Sequence, residues 1–289
     1  MKHNLHINKL ILKKEDGGIK KLFSPHFGII NGILKRNELD HFNLKMYQSL
    51  SSNTSSLFNL KREISSGGLG IDRNDYFALL SCIGESVERY CVSYFNSKTA
   101  IFDNYNKLPN KYKICSNFAL YSNKQYSELS NNFINPTNDK IYWSKIKGIF
   151  NNSEVYWPSS LIFLPFEKQL CVAETTSTGL SAHTDKNKAI WSGLFETIER
   201  DSLMISVVNK LPVNEIDLSS EIYTNKFIRK IKKKYNVRIF RLNNDLGLPV
   251  FLSLIYNMTK DGVHYGIGAS VNFDRYPKIK TLFTPRLVV

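Results

Sequence analysis

The residues best suited to chemistry form a pattern that occurs twice. Ser81, Glu85, Glu88 and Arg89 follow the spacing Ser-x-x-x-Glu-x-x-Glu-Arg, and Ser192, Glu196, Glu199 and Arg200 repeat it. At about 100° per residue, the serine and both glutamates of each copy share one side of a helix, with the arginine beside them. A Glu-rich stripe of this kind is ordinarily a solvated face. Solvated faces carry long side chains interspersed with lysine, whereas Ala78, Ala189 and Gly193 adjoin these stripes. Small residues beside carboxylates leave room for something to approach. If the four glutamates share a cavity, like-charge repulsion calls for a compensating cation. Mg²⁺ suits carboxylate oxygen and usually completes its shell with water and phosphate. The arginines could then grip phosphate or fix the carboxylates.

The copies lie 111 residues apart, and Ser66–Arg89 superimposes on Ser177–Arg200 without a gap. The identical pairs are Ser66/Ser177, Gly68/Gly179, Leu69/Leu180, Ala78/Ala189, Ser81/Ser192, Glu85/Glu196, Glu88/Glu199 and Arg89/Arg200. They fall on a turn before the helix and on one helix face. Ser66-Gly-Gly-Leu and Ser177-Thr-Gly-Leu offer backbone N–H groups suited to a phosphate. Neither is a Walker loop, since no G-x-x-x-x-G-K-[ST] occurs.

The elements that position these residues follow from periodicity and punctuation. Helices are predicted over about 74–94, about 185–208 ahead of the Leu211-Pro212 break, and 220–234, with Asp72 to Asp75 supplying cap candidates for the first. Leu80, Ile83, Val87 and Tyr90 are the predicted core face of the first helix, and Ile190, Trp191, Leu194 and Ile198 that of the second. A strand-like start (5–12) leads through a Gly17-Gly18 turn to a short segment over 26–34, and 51–56 reads as a loop. Residues 97–175 read as mixed strands and loops, with a β-rich piece at 159–165. Later strands are predicted at 237–242 and 249–256, with 262–269 closing a hairpin. The fold class is α/β or α+β, with helices packed on one sheet system.

Composition narrows the function classes. The 289 residues are 42% hydrophobic and 12% aromatic, enough for a soluble globular core. No apolar run approaches the roughly 18–20 residues of a membrane helix, and the N-terminus lacks a signal-peptide pattern, so a cytoplasmic protein with no membrane partner is expected. Cys82, Cys91, Cys115 and Cys171 lack the paired spacing of a zinc site, and Cys82 reads as a buried free thiol. The net charge of +14 admits nucleic acid, but the only dense run is Lys230 to Lys234 and no nucleic-acid motif accompanies it. A solvated basic surface is the favoured reading, with no nucleic-acid partner. An acidic peptide or a nucleotide would also suit that surface.

Ser81-Cys-Ile-Gly-Glu-Ser-Val-Glu-Arg-Tyr90 resembles the first nucleotide-site motif of the YcaO family. Thr176 to Ala182, followed by Gly193 to Asp201, resembles the second. The resemblance runs from about 60 to 270 and points to the cyclodehydratase component of azole-containing, streptolysin-type peptide (bacteriocin) biosynthesis. It implies a YcaO-type fold of mixed sheets with pseudo-symmetric acidic helices, using ATP and Mg²⁺. It implies Glu85, Glu88, Glu196 and Glu199 as metal-site residues, and Ser81, Glu85, Arg89, Thr178, Glu196 and Arg200 as nucleotide-site residues. No catalytic residue is assigned. The implied reaction phosphorylates a peptide amide oxygen and forms a thiazoline or oxazoline, although the same fold also supports thioamide or amidine formation. The implied partners are a precursor peptide and a separate leader-binding protein, and homodimerisation is left open.

The resemblance also divides the chain into an N-terminal segment (1–60), a YcaO domain (61–274) and a divergent tail (275–289). The family's third nucleotide motif has no counterpart after Ala269, which leads to the expectation of a truncated or frameshifted product. A non-catalytic scaffold is therefore the competing function.

Overall fold

A computed structural model describes residues 4–5, 12, 17–55, 67–109, 121–129, 132–149, 152–218, 226–260 and 262–271. The chain forms two compact units. The first comprises 1–51, 67–86 and 178–289, and the second 52–66 and 87–177.

The first unit holds two four-stranded antiparallel sheets. One contains β1 (Asn4–Leu5), β2 (Ile30–Arg36), β3 (Lys45–Ser51) and β4 (Leu69–Asp72), in sequence order. The other contains β8 (Asn214–Glu215), β9 (Asn236–Leu242), β10 (Val250–Thr259) and β11 (Gly262–Val271). In β9 the alternation predicted from sequence holds over the first four residues, with Val237 and Ile239 buried and Asn236 and Arg238 exposed; it then shifts, with Arg241 exposed and Leu242 buried. The hairpin of β10 and β11 pairs Val250 with Val271 through to Thr259 with Gly262, slightly longer than the sequence predicts. The second unit holds a three-stranded antiparallel sheet of β5 (Ile101–Asp103), β6 (Ile141–Lys147) and β7 (Glu154–Pro158). The α+β form of the predicted class is therefore the observed one, with separate sheets rather than one system.

Among the described residues, besides a single turn at α1 (Gly17–Lys20) and the short α3 (Asn123–Glu128), the α-helices are α2 (Asp75–Ser93), α4 (Lys186–Val208) and α5 (Lys226–Lys232). Residues 220–225 of the predicted third helix, the tail 275–289, Ser66 and Cys115 lie outside the described residues. The long helices begin where their caps dictate. Asn74 Oδ1 accepts from the N–H groups of Tyr76 and Phe77 at 2.9 and 3.3 Å. Asp185 Oδ1 accepts from Lys188 N–H at 2.9 Å. Each satisfies amide donors that the first turn leaves without intrahelical partners.

Each helix of the repeat packs on its own sheet of the first unit. On α2, Ala78, Leu79, Cys82 and Ile83 are buried against Phe23, Ile30, Ile33 and Tyr47. On α4, Leu194, Phe195, Ile198 and Leu203 meet Leu242 and Val250. Ile83, Leu194 and Ile198 thus face the cores as predicted, and the rest of each predicted face is corrected. Leu80, Val87 and Tyr90 are only half-buried, whereas Ala78, placed on the carboxylate side by the helical wheel, is fully buried. Trp191 is 52% exposed and lies against Phe195, with ring centroids 5.5 Å apart. The cause is close packing: β4 and its glycine turn press on α2 where side chains are small.

The predicted strand at 159–165 is also corrected. Ser159–Leu161 is a 3₁₀ turn, and the strand is β7, immediately before it. Pro158 ends β7 as the partner of Trp143. The core of this unit comprises Leu108, Ile141, Trp143, Tyr156 and Val172. Among the described residues, no helix is long and apolar enough to cross a membrane.

Candidate nucleotide and metal site

The structure extends the sequence repeat to residues that are not identical. At the same 111-residue offset, Asn74 and Asp185 cap the two helices. Two residues earlier, Asp72 and His183 perform a second shared task. Asp72 Oδ1 accepts from the N–H of Asn74 at 2.7 Å, and His183 Nδ1 accepts from the N–H of Asp185 at 2.8 Å. Further along, the Ser86 hydroxyl donates to the Cys82 carbonyl at 2.7 Å, and Thr197 donates to Gly193 at 2.9 Å. A hydroxyl bonded to the carbonyl four residues back thus follows the first glutamate of each stripe. Counting identities missed these pairs; a count of shared hydrogen-bonding roles at the same offset would have found them.

The glycine turns seat on the helices at equivalent places. A Cβ on Gly68 would collide with the Cys82 carbonyl and the Ser86 amide, so only glycine permits this approach. Gly179 occupies the left-handed region at φ 85°, and a Cβ there would lie 3.0 Å from Thr197 Oγ1. Ser181, the counterpart of Gly70, donates its hydroxyl to the Ala189 carbonyl, and Gly70 rests on the carbonyl of the matching Ala78.

These contacts place the candidate side chains. Glu85 is half-buried, and its Oε2 accepts from the backbone N–H of Leu69 at 2.9 Å. The first carboxylate is therefore tied to the turn that precedes its own helix. Ser81 is exposed, while Thr178, Glu196, Glu199 and Arg200 are half-buried in the first unit. Glu88 and Arg89, also half-buried, belong to the second unit. The two copies adjoin within the first unit: a Cβ on Gly84 would stand 3.7 Å from the Ala182 carbonyl oxygen. Glu85 follows Gly84 in the chain, and Ala182 follows the second glycine turn.

Among the described residues, no three His, Cys, Asp or Glu side chains are grouped closely enough to hold a metal ion. A carboxylate cage is therefore not formed. Mg²⁺ does not need one, because it commonly binds through one or two carboxylates plus water and phosphate. The all-oxygen donor set of the glutamates, with arginines beside them, fits that mode. Cys82 is no candidate nucleophile: burial pushes its thiol up to about 12, and its Sγ donates to the Gly68 carbonyl at 3.3 Å.

Residues 69–275 match the sequence profile of the YcaO cyclodehydratases, described as ATP- and Mg²⁺-binding. The chain belongs to the YcaO family. The match spans both glutamate helices and the segment between them. Several solved structures share the fold. A heterocyclase in complex with substrate and cofactor gives a TM-score of 0.75 at 20% identity, covering 93% of this chain. The Escherichia coli microcin synthetase McbBCD complex gives 0.61 at 16% identity over 86% of this chain. YcaO from Methanopyrus kandleri, bound with AMPPCP and Mg²⁺, gives 0.59 at 17% identity over 82%. This chain spans 38%, 61% and 56% of those chains, respectively. A comparison with curated protein sequences gives no match.

Proposed function

We propose that this YcaO chain is an ATP- and Mg²⁺-dependent cyclodehydratase acting on a ribosomally made peptide. The observation that carries the reading is the match over 69–275, which includes both copies of the stripe; the approach of Gly84, next to Glu85, to the Ala182 carbonyl after the second glycine turn supports it. Support also comes from relatives of the same fold, one bound to AMPPCP and Mg²⁺ and another in complex with substrate and cofactor.

In this reading one or two of Glu85, Glu196 and Glu199, all in the first unit, would hold the metal, with water and phosphate completing its shell. Arg200 grips phosphate oxygens, with Ser81 and Thr178 as supporting polar groups. Mg²⁺ bound there supplies neutralisation of phosphate charge during phosphoryl transfer. A Cys, Ser or Thr side chain of the substrate attacks the preceding amide carbonyl and gives up its proton. The resulting oxyanion takes the γ-phosphoryl group of ATP, releasing ADP. Phosphate then leaves with the amide proton, forming the C=N bond of a thiazoline or oxazoline. The domain responsible extends over about 61–274. A separate protein would present the leader of the precursor, as the multi-protein composition of the related microcin synthetase suggests. A cytoplasmic setting suits the use of ATP.

Calorimetry with ATP and Mg²⁺ tests the site. Glu85→Gln and Glu199→Gln are each expected to weaken binding at least tenfold; unchanged binding would remove these residues from the site. Phosphate release that requires a Cys/Ser/Thr-rich precursor, with loss of 18 Da from the peptide for each ring, separates cyclodehydration from nucleotide binding alone.

A further inference from the structure

We propose that Ser49 and Ser86 are positioning residues for Glu85, acting through the glycine turn. The inference rests on the assignment of Glu85 to the nucleotide and metal site. Ser49 lies on β3, distant in sequence from either stripe. Its hydroxyl exchanges two bonds with one backbone residue: it accepts from Gly68 N–H at 2.5 Å and donates to the Gly68 carbonyl at 3.3 Å. Ser86 Oγ lies 2.7 Å from Ser49 Oγ and 2.7 Å from the Cys82 carbonyl oxygen, so its one proton serves either acceptor. Both serines are buried, at 3% and 0% exposure, and water does not replace these bonds in place.

Gly68 therefore stands fixed between a strand and a helix, and the next residue donates its N–H to Glu85 Oε2 at 2.9 Å. The carboxylate's rotamer is tied to the height of the turn. The Ser49 backbone N–H holds the Gly68 carbonyl at 2.9 Å, and the two hydroxyls hold the Gly68 N–H and brace that pairing against the helix. A buried serine pair serving only stability would have no reason to end on a half-exposed carboxylate. The second copy retains the helix hydroxyl, as Thr197, at the position equivalent to Ser86.

The test uses Ser49→Ala and Ser86→Ala with two readouts: amide exchange at Leu69 in the ligand-free protein, and the Kd for Mg²⁺–ATP. Ser160→Ala is the control, because Ser160 is equally buried and accepts from Val172 N–H at 3.3 Å in the second unit. Ser49→Ala is expected to accelerate Leu69 exchange and weaken Mg²⁺–ATP binding, each about tenfold. Ser86→Thr, which keeps the hydroxyl, should stay near wild type in both. Ser160→Ala should lower Tm without moving either readout. Unchanged Leu69 exchange in Ser49→Ala and Ser86→Ala overturns the proposal, as does an equal loss of affinity in Ser160→Ala. Should the wild type bind no Mg²⁺–ATP, the functional reading fails, and Leu69 exchange alone decides the role of the serines. If Ser49→Ala does not fold, Ser49→Cys carries the same comparison, with a weaker acceptor in the same volume.

Discussion

Cys82 and Tyr47 occupy one core cluster, and both are held protonated. Burial raises each group first. The Asp75 carboxylate, accepting from Tyr47 OH at 2.9 Å, raises the tyrosine further, and Glu85 adds to the shift at Cys82. For an acid whose folded pKa is raised, the unfolded chain loses its proton first, so stability is retained at low pH and falls as pH rises. The window for Cys82 runs from the ordinary thiol range, about 8.5, up to about 12. Within it the thiol alone should cost about 1.4 kcal/mol per pH unit. Urea titrations at pH 8, 9.5 and 11 should show a steeper loss for wild type than for Cys82→Ala. Equal slopes would place the alkaline sensitivity elsewhere. Asp185 behaves oppositely: the Lys188 amide lowers its carboxyl pKa, so its cap holds above the usual Asp range and weakens as pH falls.

At the scale of elements, two glycines separate backbone strain from collision. Gly179 (φ 85°) and Gly247 (φ 67°) both occupy the left-handed region, but only Gly179 has a neighbour where a Cβ would go. Gly247→Ala should cost about 1 kcal/mol from backbone strain alone. Gly179→Ala should cost more and should also loosen the turn against Thr197, measured as a larger shift in the urea midpoint. Equal costs would mean that the Thr197 contact gives way freely. Asn74→Ala should remove about 1 kcal/mol by uncapping α2. These elements were partly legible beforehand. Both long helices could be bounded because Asn74, Asp185 and the Leu211-Pro212 break are local signals, and β9 because Val237 and Ile239 alternate with polar residues. The face of α2 was misread because a helix wheel weighs large apolar residues, whereas this helix buries Ala78, Cys82 and Ser86 beneath a backbone turn. Ser49 carried no signal, since its role depends on pairing between β3 and β4, which sequence spacing does not reveal.

At the scale of the molecule, the +14 charge is the largest unspent feature. Arg238 is bound by Glu215 through two contacts at 2.9 and 2.6 Å, but α5 presents Arg229, Lys230 and Lys232 to solvent. Such a surface attracts polyanions without reading them. Fluorescence anisotropy with random duplex DNA should show weak binding that vanishes by a few hundred millimolar salt and does not vary with sequence. A salt-resistant, sequence-dependent component would reopen nucleic acid as a partner. The paired stripes were legible as a repeat, and the approach of Gly84 to Ala182 within the first unit was not, because it is a property of packing rather than of spacing.

The Ser49 clasp also sets an order of events during folding. Gly179, Gly193 and Thr197 lie close in sequence, so the second turn can settle on α4 as soon as that helix forms. The first turn has the same local contacts with α2, but its clasp reaches from Ser86 to Ser49, 37 residues away on another strand. It can close only after β3 is in place. Of two turns built to one plan, one is a local event and the other waits for a sheet, so pulse-labelled exchange during refolding should protect Leu69 later than the amides of the second turn.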